Sequence, residues 1–575
     1  MQALPGVPFP LAGPLGVPGT AAVAGFAPGD AGGAAADWSD LLTRWTRQSA
    51  ALVEIHQRYT RCAAEHWIET LRRARGEATG AEAQEASAAA DRRFSAPEWR
   101  QELHDYLRQS YLLYAGFVNE MIDAAEIEPR AKGRLRFFAR QWLDAMSPAN
   151  FIATNPEVVR LALETQGESL ARGLRLLIGD VEKGRISQSD EGAFAVGRNL
   201  AATPGDVVFR NELIEVLLYA PQTERVHARP LLVVPPCINK YYVLDLSPEN
   251  SFVRHAVAAG HTVLVISWRN PDGSLGHLGW DDYLRDGVLE AIDVARKVGR
   301  TDRLDLVGFC VGGTLATSAL AALAARGEQP AASLTLLTTL LDFTDAGEIG
   351  LMIDAQGIAA REAAIGGGGL LEGRELAAVF STLRANDLVW PYVVNGYLKG
   401  RSPAAFDILY WNADSTNLPG PMYCSYVRNM YLENRLCEPG ALTMLGERVD
   451  LGRIDVPAFV YASRDDHIVP WQSAYRATQL LGGDVRFVLG SSGHIAGVVS
   501  PPGGRKRTYW TNEERTADAA SWLAGATEQR GSWWPAWIEW LGRLAGEKVT
   551  PPDPAAAGFA PLAPAPGEYV RQRAA

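Results

Sequence analysis

The stretch Leu304-Asp305-Leu306-Val307-Gly308-Phe309-Cys310-Val311-Gly312-Gly313 decides how this chain reads. Leu304–Val307 is a short apolar run of the length of a buried strand. Gly308 to Gly312 is a glycine-bounded turn, and Thr314–Ala325 continues as a helix. Together they form the G-x-nucleophile-x-G elbow between strand and helix, with cysteine where serine usually stands. Glycine is needed at the flanks because the turn is tight and a Cβ would meet the strand or the helix. The elbow lifts the sulfur above a sheet and places it at a helix N-terminus, where the dipole favours negative charge. The competing reading is an ordinary buried cysteine in a glycine turn. The conjunction of strand, elbow and helix favours a nucleophile.

Working outward, Asp206–Phe209 and Leu213–Tyr219 read as an antiparallel hairpin. Further short apolar strands follow at Leu231–Val234, Thr262–Ser267, Leu334–Thr338, Ala458–Ala462 and Val485–Leu489, with a helix from Trp280 to Val298. Strands alternating with helices predict a mostly parallel sheet covered on both faces, an α/β fold. The alternation stops between Asp342 and Gly446, where Gly366–Gly369 breaks the chain and aromatic residues such as Tyr423, Tyr426 and Tyr431 crowd. That is too long for a plain loop, so a cap insertion is expected.

Upstream, the helical signal starts with Trp38, Leu41, Leu42 and Trp45, and a low-complexity stretch covers Gly76 to Asp91. Ser95-Ala96-Pro97-Glu98 reads as a capping box for a helix running toward Ile122, with further helix around Leu135–Ala145 and Glu157–Val181. The expected organisation is a mobile Gly/Pro/Ala arm over 1–36, a helical N-terminal domain over 37–200 and a first core segment over 201–344. The cap then occupies 345–445, the second core segment 446–545, and a mobile Pro/Ala-rich tail 546–575.

A thiol nucleophile needs a base. His494, in Gly490-Ser491-Ser492-Gly493-His494-Ile495, directly follows the last parallel strand. An orienting acid should follow the strand before it, in Ser463-Arg464-Asp465-Asp466-His467-Ile468-Val469-Pro470. Asp466 is preferred over Asp465 because D-x-x-V-P resembles the acid loop of hydrolases built on this sheet. His467 reads as structural. The order nucleophile, acid, base is that of an α/β-hydrolase core. For the oxyanion, one backbone N–H is expected from Val311. The other must come from Pro235-Pro236-Cys237-Ile238-Asn239. Both prolines lack an N–H, so the donor is Cys237 or later, with Ile238 preferred. A thiolate attacking a thioester is a near-symmetric exchange of sulfur for sulfur, which leaves the acyl group activated for transfer to an alcohol. The elbow therefore points to acyl transfer from a thioester.

The chain has 575 residues, with 47% hydrophobic and 21% charged, which excludes a mostly disordered protein. A net charge of −11 argues against a general nucleic-acid binder. The cysteines, Cys62, Cys237, Cys310, Cys424 and Cys437, form no CxxC pair, and neither a disulfide framework nor a metal site is expected. Met1–Asp30 carries no Lys or Arg, so no secretory leader is expected, and no apolar run is long enough to span a membrane.

The sequence resembles the single-subunit, class I polyhydroxyalkanoate synthases. The resemblance rests on PPCINKYYVLDL (Pro235–Leu246), SWRNPD (Ser267–Asp272), GFCVGGT (Gly308–Thr314), TLLTTLLDF (Thr335–Phe343), NDLVWPYVVNGYLKG (Asn386–Gly400), SRDDHIVPW (Ser463–Trp471) and GHIAGVVSPP (Gly493–Pro502). It implies polymerisation of (R)-3-hydroxyacyl-CoA, chiefly 3-hydroxybutyryl-CoA, into polyester with release of CoA. It assigns Cys310 as covalent nucleophile, His494 as its base and Asp466 as a helper in activating the 3-hydroxyl. CoA enters as part of the substrate, so no cofactor is expected. A homodimer working in the cytoplasm at the polyester granule surface is implied. Arg384 resembles a position that could pair with a CoA phosphate, and Arg505-Lys506-Arg507 is a second basic group. Trp533, Trp534 and Trp537 read as anchors for a packing helix. Met422 and Ser425 depart from the tryptophans common in the family. The rival enzyme is a thioesterase or intracellular polyester hydrolase with the same Cys-Asp-His triad.

Overall fold

The computed structural model describes residues 49–76, 91–504 and 507–574, together with Asp37, Ser39 and Thr43. The 1–36 arm, the Trp38–Trp45 apolar positions, most of the low-complexity stretch, Arg505 and Lys506 lie outside the described residues. The chain divides into two compact units, Met1–Gln188 with Ala378–Ala404, and Ser189–Ala377 with Ala405–Ala575.

The first unit is helical: α1 (Ser49–Ala74), α2 (Glu102–Asp123), α3 (Pro129–Ala145), α4 (Pro156–Glu164) and α5 (Glu168–Lys183). Val118 and Ile122 of α2 bury against Leu135, Ala139 and Leu143 of α3, at the spacing of one helical face. α4 opens on proline, and the Asn155 side chain accepts from the amides of Glu157 and Val158. The expected capping box does not form. The Ser95 hydroxyl donates back to Arg92 O at 3.0 Å, and Glu98 pairs with Arg160 at 2.7 Å. Pro97–Arg100 makes one 3₁₀ turn, Gln101 is extended, and α2 starts only at Glu102.

The insertion expected as one cap over 345–445 is divided, because 378–404 belongs to this helical unit. Ala385, Val389, Val393 and Tyr397 bury a face against Leu176 and Leu177 of α5. Gly173 permits the approach, since a Cβ there would lie 1.9 Å from Tyr397 O. Gly173→Ala is expected to lower unfolding stability by about 1–3 kcal/mol. An unchanged denaturant midpoint would contradict that packing account.

The second unit carries an eleven-stranded sheet, counted among the described residues. Its strands are β1 (Gly205–Arg210), β2 (Ile214–Tyr219), β3 (Leu231–Val234), β4 (Val263–Trp268), β5 (Leu304–Phe309), β6 (Ala331–Leu337), β7 (Ala458–Ser463), β8 (Val485–Gly490), β9 (Thr508–Thr511), β10 (Thr527–Arg530) and β11 (Ala563–Pro564). Across the sheet they run β10-β9-β8-β7-β6-β5-β3-β4-β2-β1-β11. The centre, from β8 to β4, is parallel, and both flanks are antiparallel. Successive residues of β3 feed opposite cores, Leu232 and Val234 one, Leu231 and Val233 the other. Burial on both faces explains why these strands read as unbroken apolar runs. Among the covering helices are α6 (Glu290–Gly299) and α7 (Val311–Ala325).

The expected mobile tail is instead built into the sheet. β11 pairs antiparallel with β1, and Tyr569 and Val570 are buried. The buried carboxylate of Glu215 accepts from the amides of Glu568 at 3.1 Å and Tyr569 at 3.0 Å. Buried Lys240 donates to Gln572 O at 2.5 Å. Pro- and Ala-rich composition suggested coil, but these backbone groups find side-chain partners far away in sequence. Trp533, Trp534 and Trp537 are almost fully buried around α8 (Trp534–Leu544), which packs on the sheet as expected.

Candidate active site

Cys310 joins β5 to α7 with φ 53° and ψ −127°, a strained geometry for a residue with a side chain. Its backbone is held on both sides. Its N–H donates to Leu337 O at 2.9 Å, while its carbonyl accepts from Gly313 N at 2.9 Å and Thr339 Oγ1 at 3.3 Å. The flanking glycines are required by contact. A Cβ on Gly308 would lie 2.3 Å from Gly313 Cα, and one on Gly312 would lie 2.2 Å from Val234 O. The first turn of α7 therefore abuts the end of β3, where the second oxyanion donor was expected.

β7 ends in the acid loop. Asp466 is buried, and its Oδ1 accepts from Ile468 N and Val469 N, each at 2.9 Å. Its Oδ2 meets His494 Nδ1 at 2.7 Å. Asp465 is exposed, so of the two neighbouring aspartates the geometry selects Asp466. His494 follows β8 and opens the short helix His494–Val498. Its ring stacks on Phe309 at 5.7 Å and lies within electrostatic range of the Cys310 sulfur. Burial opposes a charged imidazolium, but the Asp466 carboxylate and the Cys310 sulfur outweigh it and raise the His494 pKa from 6.5 to about 10. Cys310, His494 and Asp466, the expected nucleophile, base and acid, thus lie in one line.

Val311 is the first residue of α7, so its N–H has no acceptor within the helix. Ile238 lies half-buried in the turn after β3, and Cys237 beside it is buried within electrostatic range of Cys310. Burial pushes the Cys237 thiol well up, which keeps it a neutral packing group. Two residues missed as site members are Tyr426 and Tyr431. Both residues are half-buried, their rings meet edge-on at 5.4 Å, and they lie within electrostatic range of Cys310. Burial raises both pKa values, so they remain neutral. Tyr426 stacks on Trp280 at 5.4 Å, and Tyr431 meets Phe343 edge-on at 4.9 Å. The crowding of aromatics in the insertion was the signal, but it did not say which ones face the sulfur. Met422 is buried, and the Ser425 hydroxyl accepts from Asn429 at 3.1 Å.

Arg384 belongs to the helical unit, is exposed, and pairs with Asp387 at 2.9 Å. Arg507 is not a free surface cation. Its guanidinium donates to Ala496 O and Val499 O.

Residues 230–501 match the family described as the alpha/beta hydrolase fold, which is the class that this sheet and elbow define. Residues 90–256 match the family described as the N-terminus of poly-beta-hydroxybutyrate polymerase (PhaC). The chain is 52% identical over 532 residues to the poly(3-hydroxyalkanoate) polymerase subunit PhaC of Cupriavidus necator, covering 91% of this chain and 89% of that one. It is 43% identical over 538 residues to the poly(3-hydroxyalkanoate) polymerase of Methylorubrum extorquens, covering 92% and 88%. Against polymerase 1 of Ectopseudomonas oleovorans the identity is 39% over 487 residues, covering 84% and 87%. The chain belongs to the poly(3-hydroxyalkanoate) polymerases, a family of acyltransferases. No helix among the described residues is long and apolar enough to cross a membrane.

Proposed function

We propose that the protein polymerises short-chain (R)-3-hydroxyacyl-CoA, chiefly 3-hydroxybutyryl-CoA, through an acyl thioester on Cys310. The observation that carries this reading is His494, hydrogen-bonded to Asp466 and within electrostatic range of the Cys310 sulfur. His494 takes the thiol proton. The Cys310 sulfur attacks the thioester carbonyl, and the carbonyl oxygen is met by the N–H groups of Val311 and Ile238. The acyl–sulfur bond to CoA breaks, and CoA leaves with the proton from His494. In elongation a 3-hydroxyl gives its proton to His494 and attacks the acyl-cysteine, forming an ester and freeing the thiol. CoA enters and leaves as substrate and product, so the scheme uses no cofactor. The short-chain preference rests on the resemblance of the Gly-Phe-Cys-Val-Gly elbow. Homodimerisation and work at the granule surface belong to the same proposal and are read by sizing and by fractionation with polymer.

Asp466 acts in this scheme through His494, because both its oxygens are already engaged. A thiol ionises far more readily than an alcohol. The basicity that Asp466 lends His494 therefore matters more for elongation than for acylation. Asp466→Asn is expected to slow acylation of Cys310 by less than about tenfold and elongation by about 100-fold or more. Equal loss of both steps would refute this division.

The function is tested by incubating the protein with 3-hydroxyacyl-CoA substrates of increasing length, following CoA release and weighing the product. Polymer supports the proposal. Free hydroxy acid would indicate the thioesterase or hydrolase, and no release would leave only a scaffold.

A further inference from the structure

His494 opens a helix of one turn, too short to hold its own position by internal hydrogen bonds. The five residues from Ala496 to Ser500, the end of that turn and the two residues after it, present consecutive carbonyls, and every one accepts from a side chain. Ala496 O and Val499 O take the Arg507 guanidinium, the latter at 3.3 Å. Gly497 O takes the Tyr461 hydroxyl at 2.7 Å and Trp533 Nε1 at 3.0 Å. Val498 O takes Trp534 Nε1 at 2.9 Å, and Ser500 O takes the Ser532 hydroxyl. These donors come from β7, from the residue before β9 and from the start of α8. Each is anchored in the sheet or in buried core: Trp533, Trp534 and Tyr461 are nearly or fully inaccessible, and Trp533 stacks on Tyr461 at 4.3 Å.

We propose that Arg507, Trp533 and Trp534 are positioning residues, a clasp on the four successive carbonyls of Ala496 to Val499 that fixes where the His494 imidazole stands relative to the Cys310 sulfur. The inference rests on the Cys310–His494 reading above and extends it to side chains that touch neither substrate nor sulfur. The physical reason is leverage. With this clasp loosened, the helix shifts along its axis and the ring moves with it, and a displacement of about 1 Å at a reacting pair can cost about 100-fold in rate. Burial also lowers the Arg507 pKa, so the protein spends solvation energy on placing a guanidinium there. This gives the Trp-rich end a catalytic purpose beyond packing.

The test uses the full chain with Arg507→Met, Arg507→Lys and Trp534→Phe, the last keeping an aromatic side chain while deleting the Nε1 donor together with part of the indole. Two quantities are read: kcat and KM for 3-hydroxybutyryl-CoA, and the rate at which iodoacetamide alkylates Cys310, followed by mass spectrometry of its peptide. Arg507→Met is expected to lower kcat and the alkylation rate together by about 100-fold, with KM within about twofold. Arg507→Lys should recover about tenfold of that loss, and Trp534→Phe should lower both rates about tenfold. The proposal is overturned if folded Trp534→Phe and Arg507→Lys alkylate Cys310 at the parental rate, or if kcat falls only in step with the folded fraction. Should Arg507→Met not fold, Trp534→Phe decides alone. His494→Gln is the control that separates the two levels: if it leaves alkylation unchanged, the cysteine–histidine reading itself fails and the clasp fails with it.

Discussion

Replacing His494 with glutamine is expected to lower CoA release from 3-hydroxybutyryl-CoA by about four orders of magnitude, while the fold and the Asp466 loop persist. Glutamine can still donate to Asp466, but it cannot take a proton from the Cys310 thiol or return one to CoA. The unaltered protein should show a distinctive pH profile. Its His494 pKa is raised from 6.5 to about 10 because Asp466 and the Cys310 sulfur face the ring. A raised value means that the imidazolium persists at and above neutral pH and is lost as pH climbs through about 10. Activity should therefore hold level from neutral pH and fall only near that upper value. A basic limb close to the ordinary histidine value would contradict the pairing.

Deleting 568–575 is expected to be the most damaging truncation. It removes the amides of Glu568 and Tyr569 from the Glu215 carboxylate and the Gln572 carbonyl from Lys240. Glu215 is fully buried, and its remaining partner among the described residues is Arg210, at 2.6 Å. Losing two hydrogen bonds to a buried charge costs about 3 kcal/mol or more. Lys240 lies in the segment that carries Cys237 and Ile238, so activity should fall further than stability alone dictates. The measurements are a denaturant midpoint and CoA release. A truncated protein with the parental midpoint would show that the tail is dispensable.

The parts legible in the sequence were those written locally. The elbow is a contiguous strand, turn and helix, and its glycines encode contacts between near neighbours. His494 and Asp466 each follow a strand in the order the sheet dictates, and the resemblance of D-x-x-V-P to a hydrolase acid loop favoured Asp466 over Asp465 before burial did. What stayed hidden depended on partners distant in the chain. Glu215 holds residues more than 350 positions away, and nothing in a Pro/Ala-rich segment announces that. The split of the insertion turns on Gly173, whose missing side chain admits the backbone of Tyr397. The capping box failed because Gln101 is extended after the Pro97 turn, which moves the helix start to Glu102. Tyr426 and Tyr431 were visible as aromatics, yet only tertiary packing brings them to the sulfur.

The central claim is that Cys310 carries the acyl group. A brief exposure to 3-hydroxybutyryl-CoA, quenched in acid and digested, should yield a hydroxybutyryl adduct on the peptide containing Cys310, absent in Cys310→Ala. CoA release that continues in Cys310→Ala, or an adduct on another residue, would contradict it.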